Sequence, residues 1–206
     1  MLQSQTPAPE SKGFVLGITG GTGCGKTTLL KVIEDRGGLV LDCDAIYHGL
    51  LTRDSALLAA IEDRFPGTVE KGTLQRKKLG AIVFNDPAAL EELNAITHTA
   101  IKKEVLRRLE RAPGLAAIDA IALFESGLSQ LCDVTVAVTA PEEDRVKRLM
   151  ARDGISEAYA RNRIAAQHNE AWFRERCGHI LENNGTQIQF QEKCIDFLQK
   201  LDIIKE

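Results

Sequence analysis

The sequence has no apolar run long enough to span a bilayer. Residues 115–123 form one of its longest runs, far short of the roughly 20 residues that a membrane helix needs. Residues 1–12 lack the apolar segment of a secretory signal, and we expect a loose tail there. A net charge of −3 argues against a general nucleic-acid binder, which would need a basic face. These absences predict a cytoplasmic protein without a membrane or nucleic-acid partner.

The sequence also has few cysteines and no Cys-x-x-Cys pair. Its five cysteines are an odd number, which predicts neither a disulfide framework nor a zinc site. It has no internal repeat and no low-complexity tract. Its 206 residues are enough for one sizeable core with an inserted subdomain, or for two small domains at most.

A glycine-rich segment, Gly-Gly-Thr-Gly-Cys-Gly-Lys-Thr at residues 20–27, fits the phosphate-loop pattern. An apolar strand pattern precedes it and a helical pattern follows it. Backbone N–H groups of such a loop form an anion nest at a helix N-terminus, so we expect a nucleoside triphosphate there. The alternative is a glycine-rich turn whose lysine is merely solvated. The residues expected to contact the nucleotide are Gly21, Thr22, Gly23, Cys24, Gly25, Lys26, Thr27 and Thr28. Among these, Lys26 would reach the β- and γ-phosphates, and the Thr27 hydroxyl would bind Mg²⁺.

Short apolar strands alternate with helical patterns along the chain. The strands are predicted at residues 14–18, 39–42, 115–123, 134–138 and 179–181. This alternation predicts an α/β fold, with a parallel sheet flanked by helices and the nucleotide at its carboxyl edge. Between the second and third strands, about 65 residues carry apolar positions at helical spacing. This segment is too long for a plain crossover helix, so we expect an inserted helical subdomain.

Two carboxylates follow the second strand. Asp44 lies where an acceptor hydroxyl could meet the γ-phosphate, and its carboxylate could take or orient the hydroxyl proton, or help to hold Mg²⁺. The alternative is that Asp44 caps the next helix. Asp42 could hold either role, and position does not separate the two. Asp119 interrupts an apolar strand, where a charge is costly unless it is paired or near Mg²⁺, so a functional role is favoured over a structural one.

A basic helix follows the fourth strand. Arg145, Arg148 and Arg152 fall on one stripe of it, and Arg163 lies on the next helix. Such a hairpin is typical of a lid that neutralises a transferring phosphoryl group. The alternative is surface pairing with the acidic residues at 142–144.

Cys24 lies within the loop itself. The helix dipole and Lys26 are expected to lower the pKa of its thiol, so we predict that Cys24 is oxidisable and that oxidation blocks nucleotide binding. His98 lies in a helical segment, where a structural role is more common than a catalytic one.

The motifs and their order make the chain similar to the dephospho-CoA kinases, P-loop kinases that phosphorylate the ribose 3′-hydroxyl of dephospho-CoA with ATP and Mg²⁺. The resemblance extends from about Phe14 to the closing helix. Besides the loop, it is carried by Asp-x-Asp at 42–44, Gly-Thr-Leu-x-Arg at 72–76, Leu-x-x-x-x-His at 93–98, Leu-Phe-Glu at 123–125, Arg-Leu-Met-x-Arg-Asp-Gly at 148–154, Arg-Ile-x-x-Gln at 163–167 and Leu-x-Asn-x-Gly at 181–185.

The resemblance implies three parts: a nucleotide core at 13–44, 114–140 and 177–206, a helical acceptor-binding subdomain at 45–113, and a helical lid at 141–176. It implies dephospho-CoA as acceptor and ATP with Mg²⁺ as the other reactant. The implied catalytic residues are Lys26, Asp44, Arg148 and Arg152, the acceptor-binding residues are Asp44, Arg76, His98 and Glu125, and the metal-binding residues are Thr27 and Asp119. We expect a monomer, although the sequence does not exclude an oligomer.

The chain also departs from the family pattern. Thr99 and Ile121 stand where the family usually has proline, Phe173 where it has lysine, and Gly178 where it has aspartate. These departures bear on the shape of the acceptor pocket and the docking of the lid. Two alternatives are a kinase for another acceptor, such as a nucleoside or nucleotide, and a nucleotide-dependent switch. The inserted block and the Asp-x-Asp spacing favour dephospho-CoA, and the sequence lacks the Asn-Lys-x-Asp motif typical of guanine switches.

Overall fold

A computed structural model of the chain describes residues 13–112 and 114–204; the tail predicted at residues 1–12 lies outside them. The centre of the fold is a five-stranded sheet in which every pairing is parallel, with strand order β2-β5-β1-β6-β7. Its strands are β1 (Val15–Thr19), β2 (Leu39–Asp42), β5 (Ala116–Asp119), β6 (Val134–Thr139) and β7 (His179–Glu182). All five residues of β1 are buried, as expected of a central strand covered on both faces.

Helices cover both faces of this sheet, as predicted. They are α1 (Lys26–Glu34), α2 (Cys43–Arg53), α3 (Ser55–Arg64), α4 (Arg76–Val83), α5 (Pro87–Leu109), α6 (Glu142–Asp153), α7 (Glu157–Ala165), α8 (Glu170–Arg176) and α9 (Gln187–Lys200). One apolar core packs α1 and α9 against the sheet through Leu16, Leu29 and Phe190. A second core joins the opposite face to the inserted segment through Leu41, Ile61 and Phe65. None of the helices in the described ranges is both long and apolar enough to cross a membrane.

The inserted segment is not wholly helical. A two-stranded antiparallel hairpin, β3 (Val69–Glu70) with β4 (Thr73–Leu74), separates α3 from α4. Two-residue strands are too short to produce a period-2 pattern, so the sequence gives no signal for them. The longest helix, α5, begins where predicted, because Pro87 is at its first position and the Asp86 carboxylate accepts hydrogen bonds from the next backbone N–H groups.

The two basic helices predicted after the fourth strand are present as α6 and α7. A further helix, which the sequence did not predict, follows them. Helices α6 and α7 share a small apolar cluster of Val146, Leu149, Ala160 and Ile164. The Ser156 side chain caps α7, as predicted, but α7 ends at Ala165 rather than near residue 168. A new helix, α8, follows because Asn169 caps it by accepting a hydrogen bond from the Trp172 N–H.

The strand predicted at residues 115–123 is shorter than expected. It ends at Asp119, and the apolar residues after it form a turn that carries Leu123 back into the core. The prediction was wrong because apolar residues continue beyond the last strand pairing. Asp119 therefore lies at the carboxyl end of β5, at the same sheet edge as the phosphate loop.

Candidate active site

The phosphate loop connects β1 to α1 in a conformation that needs glycine. Gly20 has φ +130° and Gly25, which caps α1, has φ +96°. A Cβ atom on Gly25 would lie 2.3 Å from the Asn183 Nδ2 atom. That amide is buried and donates a hydrogen bond to the Cys24 carbonyl at 2.9 Å. Asn183, in the segment after β7, thus holds the backbone of the loop in place.

A cavity of about 640 Å³ lies in front of the loop. It brings together the loop, two of the predicted carboxylates and arginines of α6 and α7. Its lining residues are Gly21, Thr22, Gly23, Gly25, Lys26, Thr27, Asp44, Asp119, Ile121, Arg148, Leu149, Ala151, Arg152 and Arg163. Two residues expected to contact the nucleotide are not among them. Cys24 is buried beneath the loop, and the Thr28 N–H donates to the Gly25 carbonyl.

The cationic side chains around this cavity are held by different partners. The Lys26 ammonium donates a hydrogen bond to the Gly20 carbonyl at 3.1 Å. Arg148 donates to the Gly23 carbonyl at 3.2 Å, so it already contacts the loop. Arg152 instead makes a two-pronged contact with the Asp153 carboxylate, at 2.7 and 3.0 Å. Hydrogen bonds from Arg152, and then from Arg163, lower the pKa of Asp153 to about 2.

The alternative for Arg145, Arg148 and Arg152 was surface pairing with the acidic residues at the start of α6. The structure gives those acidic residues a different partner. The carboxylates of Glu142 and Glu143 form ion pairs with Arg161, on the neighbouring helix. Arg145, Arg148 and Arg152 are therefore directed to other partners, two of them to the phosphate loop.

The structure distinguishes the roles of Asp42 and Asp44, which the sequence could not. The Asp42 carboxylate accepts a hydrogen bond from the Ala45 N–H at 2.9 Å and so caps α2. The alternative in which Asp44 is the cap is therefore wrong. Asp44 lies in the first turn of α2, with its exposed side chain lining the same cavity as the loop.

Asp119 is the unusual carboxylate of the site. Its Oδ1 atom is buried and has no hydrogen-bond partner among the described residues. Burial raises its pKa to about 6; Lys26 lowers it, whereas Asp42 and Asp44 raise it further. A buried carboxylate oxygen without a donor is suited to a cation, because a cation would compensate the desolvation.

A second cavity, of about 230 Å³, adjoins the first. Asp44 and Ile121 line both cavities. The remaining walls come from α2, α5 and the turn after β5: Cys43, Tyr47, Leu93, Asn94, Thr97, His98, Ile101, Ala120, Ala122, Ser126 and Leu128. His98, an expected acceptor residue, is thus brought close to Asp44.

Two other expected acceptor residues lie outside both cavities. The Arg76 Nη2 atom is 3.2 Å from His48 Nδ1, and the Glu125 Oε1 atom is 2.7 Å from His168 Nε2. The His168 ring stacks on Trp172, with centroids 3.8 Å apart, so Glu125 connects the turn after β5 to the start of α8. A role in acceptor binding stays a prediction for Arg76 and Glu125.

The expectation that the pKa of the Cys24 thiol is lowered is wrong, because the pKa is raised. Its side chain is only 1% exposed, and burial raises the pKa of the thiol more than Lys26 and Arg145 lower it. The helix dipole and a nearby lysine activate a thiol only where water can also reach it. The premise for an easily oxidised Cys24 is therefore removed.

Sequence reasoning missed a contact of Gln167 and Arg145 with the phosphate loop. The Thr22 N–H donates a hydrogen bond to the Gln167 Oε1 atom at 2.7 Å, and the Arg145 Nε atom donates to the Thr22 carbonyl at 2.9 Å. Arg145 Nη2 also donates to Gln167, at 3.2 Å. Gln167 ends the Arg-Ile-x-x-Gln motif and Asn183 lies in the late Asn-x-Gly motif. Both motifs could be recognised in the sequence, but the sequence indicated no chemical role for either residue.

Comparison with known proteins identifies the family. A family model described as dephospho-CoA kinase matches residues 14–189. The chain belongs to the dephospho-CoA kinase family. Among its relatives, the dephospho-CoA kinase of Moorella thermoacetica is 36% identical over 179 residues, which cover 84% of each chain. That of Deinococcus radiodurans is 35% identical over 206 residues, covering 97% of this chain and 99% of the relative.

Solved structures confirm the fold of a P-loop kinase. A crystal structure from Thermus thermophilus superposes with a TM-score of 0.79 at 32% identity, covering 93% of this chain and 98% of that one. A dephospho-CoA kinase from Campylobacter jejuni gives 0.66 at 26% identity, covering 91% and 96%. A shikimate kinase from Acinetobacter baumannii, at 16% identity and 0.51, covers 94% and 97% and shares the fold alone.

Proposed function

We propose that the chain transfers the γ-phosphoryl group of ATP to the ribose 3′-hydroxyl of dephospho-CoA, giving CoA and ADP. Membership of the dephospho-CoA kinase family supports this reaction. The observation that carries it is the position of Asp44, which lines both the loop cavity and the smaller cavity beside it. One cavity is suited to the phosphate donor and the other to the acceptor, with a carboxylate where they meet.

The donor would bind through the loop. Its backbone N–H groups and the N-terminus of α1 favour the β- and γ-phosphates, and Lys26 would exchange its hydrogen bond to Gly20 for phosphate oxygens. Arg148 contacts the loop from the lid side, where it would stabilise the charge of the transferring group. Arg152 would join it by leaving Asp153, in a lid movement of the kind that often accompanies phosphoryl transfer.

The acceptor hydroxyl would be oriented by Asp44. The 3′-oxygen attacks the γ-phosphorus, the bond from that phosphorus to the bridging oxygen breaks, and ADP leaves with the bonding electrons. The hydroxyl proton passes to the Asp44 carboxylate, which is exposed and lines the same cavity as the loop. No covalent enzyme intermediate is needed, because positioning and charge stabilisation supply the catalysis.

Thr27 and Asp119 would hold Mg²⁺. Both line the loop cavity, and the Asp119 Oδ1 atom is buried without a hydrogen-bond partner among the described residues. When bound, the cation neutralises charge on the β- and γ-phosphate oxygens. Within residues 13–112 and 114–204, no cluster of three or more His, Cys, Asp or Glu could hold a metal. Mg²⁺ bound through one or two side chains and substrate phosphates would need no such cluster.

The proposal also divides the chain into three parts with different functions. Residues 13–44, 114–140 and 177–206 form the nucleotide core, 45–113 the acceptor-binding subdomain and 141–176 the lid. The separate apolar cluster between α6 and α7 supports a lid that packs as a unit. The proposal also includes a monomer acting in the cytoplasm. A net charge of −3 supports a small-molecule acceptor rather than a nucleic acid.

The test is an acceptor-dependent ADP-release assay with the full chain. ATP, Mg²⁺ and dephospho-CoA are supplied, CoA is identified by mass spectrometry, and nucleosides and nucleotides are tried in place of dephospho-CoA. We expect CoA and ADP in equal amounts, with dephospho-CoA the best acceptor. A better nucleoside acceptor would replace the substrate assignment, and ADP release independent of any acceptor would contradict the kinase assignment.

A further inference from the structure

Two adjacent residues between α7 and α8 contact two different parts of the candidate active site. Gln167 accepts a hydrogen bond from the Thr22 N–H of the phosphate loop at 2.7 Å. The next residue, His168, has its Nε2 atom 2.7 Å from the Glu125 Oε1 atom, in the turn after β5. Consecutive Cα atoms are only about 3.8 Å apart, so neither residue can move far without the other. The phosphate loop and the turn after β5 are therefore linked through these two residues.

On the side of the phosphate loop, Gln167 belongs to a small network around Thr22. Its Oε1 atom also accepts a hydrogen bond from Arg145 Nη2 at 3.2 Å, and Arg145 Nε donates to the Thr22 carbonyl at 2.9 Å. Side chains from other segments thus hold both the N–H and the carbonyl of this buried loop residue. A loop that binds phosphate does so with its backbone groups, so the position of Gln167 bears on how the loop binds ATP.

On the other side, Glu125 lies in the turn that forms one wall of the smaller cavity. Ile121 and Ser126, in the same turn, line that cavity. Glu125 also interacts electrostatically with His98, a further lining residue: burial lowers the pKa of His98, and the Glu125 carboxylate opposes this less strongly. An acceptor that occupies the smaller cavity would restrict this turn, and with it the carboxylate that contacts His168.

Aromatic contacts hold His168 in place for this contact. Its imidazole stacks on the Trp172 indole, with the ring centroids 3.8 Å apart and the planes 1° from parallel. The same indole packs edge-on against Phe124, the neighbour of Glu125, with centroids 5.7 Å apart. The turn after β5 and the start of α8 therefore meet through one polar and one aromatic contact.

We propose that Gln167 and His168 couple the binding of the two substrates, with His168 as a positioning residue. ATP on the loop would restrict Gln167, and the acceptor would restrict Glu125, so each substrate favours the arrangement in which the other binds. Such coupling is reciprocal, because each substrate raises the affinity for the other by the same factor. This proposal rests on the proposed function, since it takes dephospho-CoA as the acceptor. His168 lies outside the motifs that carry the family resemblance.

The test measures binding without turnover. Calorimetry gives the affinity of the full chain for Mg²⁺ and β,γ-imido-ATP, an analogue that resists phosphoryl transfer, with and without saturating dephospho-CoA. We expect wild type to bind the analogue about fivefold more tightly, or more, when dephospho-CoA is present. His168→Phe keeps a ring on Trp172 but loses the contact with Glu125, which should reduce this factor to within about twofold. The affinity for each substrate alone should stay close to that of wild type, which a general loss of structure would not allow.

Two further variants make the result specific. His168→Gln can still donate a hydrogen bond to Glu125, so it should keep most of the coupling. The matched control is His179→Phe, which changes an exposed histidine at the first residue of β7, at the opposite edge of the sheet from the phosphate loop. It should bind both substrates with the wild-type affinities and coupling.

The outcomes separate the coupling from the function on which it rests. If wild type binds dephospho-CoA neither alone nor with the ATP analogue, the proposed function fails and the coupling fails with it. If dephospho-CoA binds but does not change the affinity for the analogue, or if His168→Phe keeps the full coupling, only the coupling is overturned. Thermal melting shows which variants are folded, and His168→Ala takes the place of His168→Phe if that variant unfolds.

Discussion

The Asp42 carboxylate caps α2 by accepting a hydrogen bond from the Ala45 N–H at 2.9 Å. This contact leaves Asp44, two residues further along, free to line both cavities. The two carboxylates are therefore expected to have different functions, although they are close in sequence and both exposed.

The first prediction contrasts these two residues. Asp44→Asn should lower kcat by about a hundredfold or more with nearly unchanged ATP binding, because it removes a proton acceptor and not a phosphate ligand. Asp42→Ala should instead lose about 1 kcal/mol of stability through the missing cap. Steady-state kinetics, ATP titration and urea unfolding measure these effects. Near wild-type turnover in Asp44→Asn would remove Asp44 from the mechanism.

The second prediction concerns the stability contribution of Asp119. Its pKa is raised from 3.8 to about 6 in the folded protein, so folding favours the protonated form and stability falls as pH rises through about 6. Asp119→Asn should therefore be more stable than wild type at pH 8 by about 2–3 kcal/mol without Mg²⁺, with the difference disappearing toward pH 4. Urea unfolding at several pH values measures this. A constant difference across that range would show that Asp119 has an ordinary pKa.

The third prediction concerns the contact between Gln167 and the phosphate loop. Gln167→Ala removes the acceptor for the Thr22 N–H and for Arg145, which should loosen the loop. One lost hydrogen bond of about 1 kcal/mol corresponds to roughly a fivefold rise in the KM for ATP, with a smaller effect on kcat. Gln191→Ala, at an exposed position of α9, is the matched control. Equal kinetics in both variants would mean that this contact does not position the loop.

The fourth prediction concerns thiol reactivity. Because burial raises the pKa of Cys24, iodoacetamide should modify it slowly at neutral pH in the folded protein. Cys177 is less buried, and burial raises its pKa to about 11, so it should react sooner than Cys24 but still slowly. Peptide mass spectrometry after timed labelling gives both rates. Rapid labelling of native Cys24, with loss of ATP binding, would restore the redox hypothesis.

Local chemistry was enough to predict much of the fold. The second strand lies at residues 39–42 as predicted, since its apolar residues are bounded by glycines and an aspartate. The phosphate loop was also evident, because its glycines and lysine have fixed spacing between a strand and a helix. Short-range patterns of this kind depend on backbone geometry, which is a property of neighbouring residues.

The sequence by itself determined the loop, the parallel sheet, the inserted segment and the carboxylate pair at 42 and 44. The tertiary structure decided which carboxylate lines the cavities, because a cap is identified only by its hydrogen bond. It also decided the sign of the Cys24 pKa shift, since burial depends on packing and outweighs the nearby charge. The contact of Thr22 with Gln167, 145 residues away, has no local signal, because only folding brings residues so far apart in sequence together.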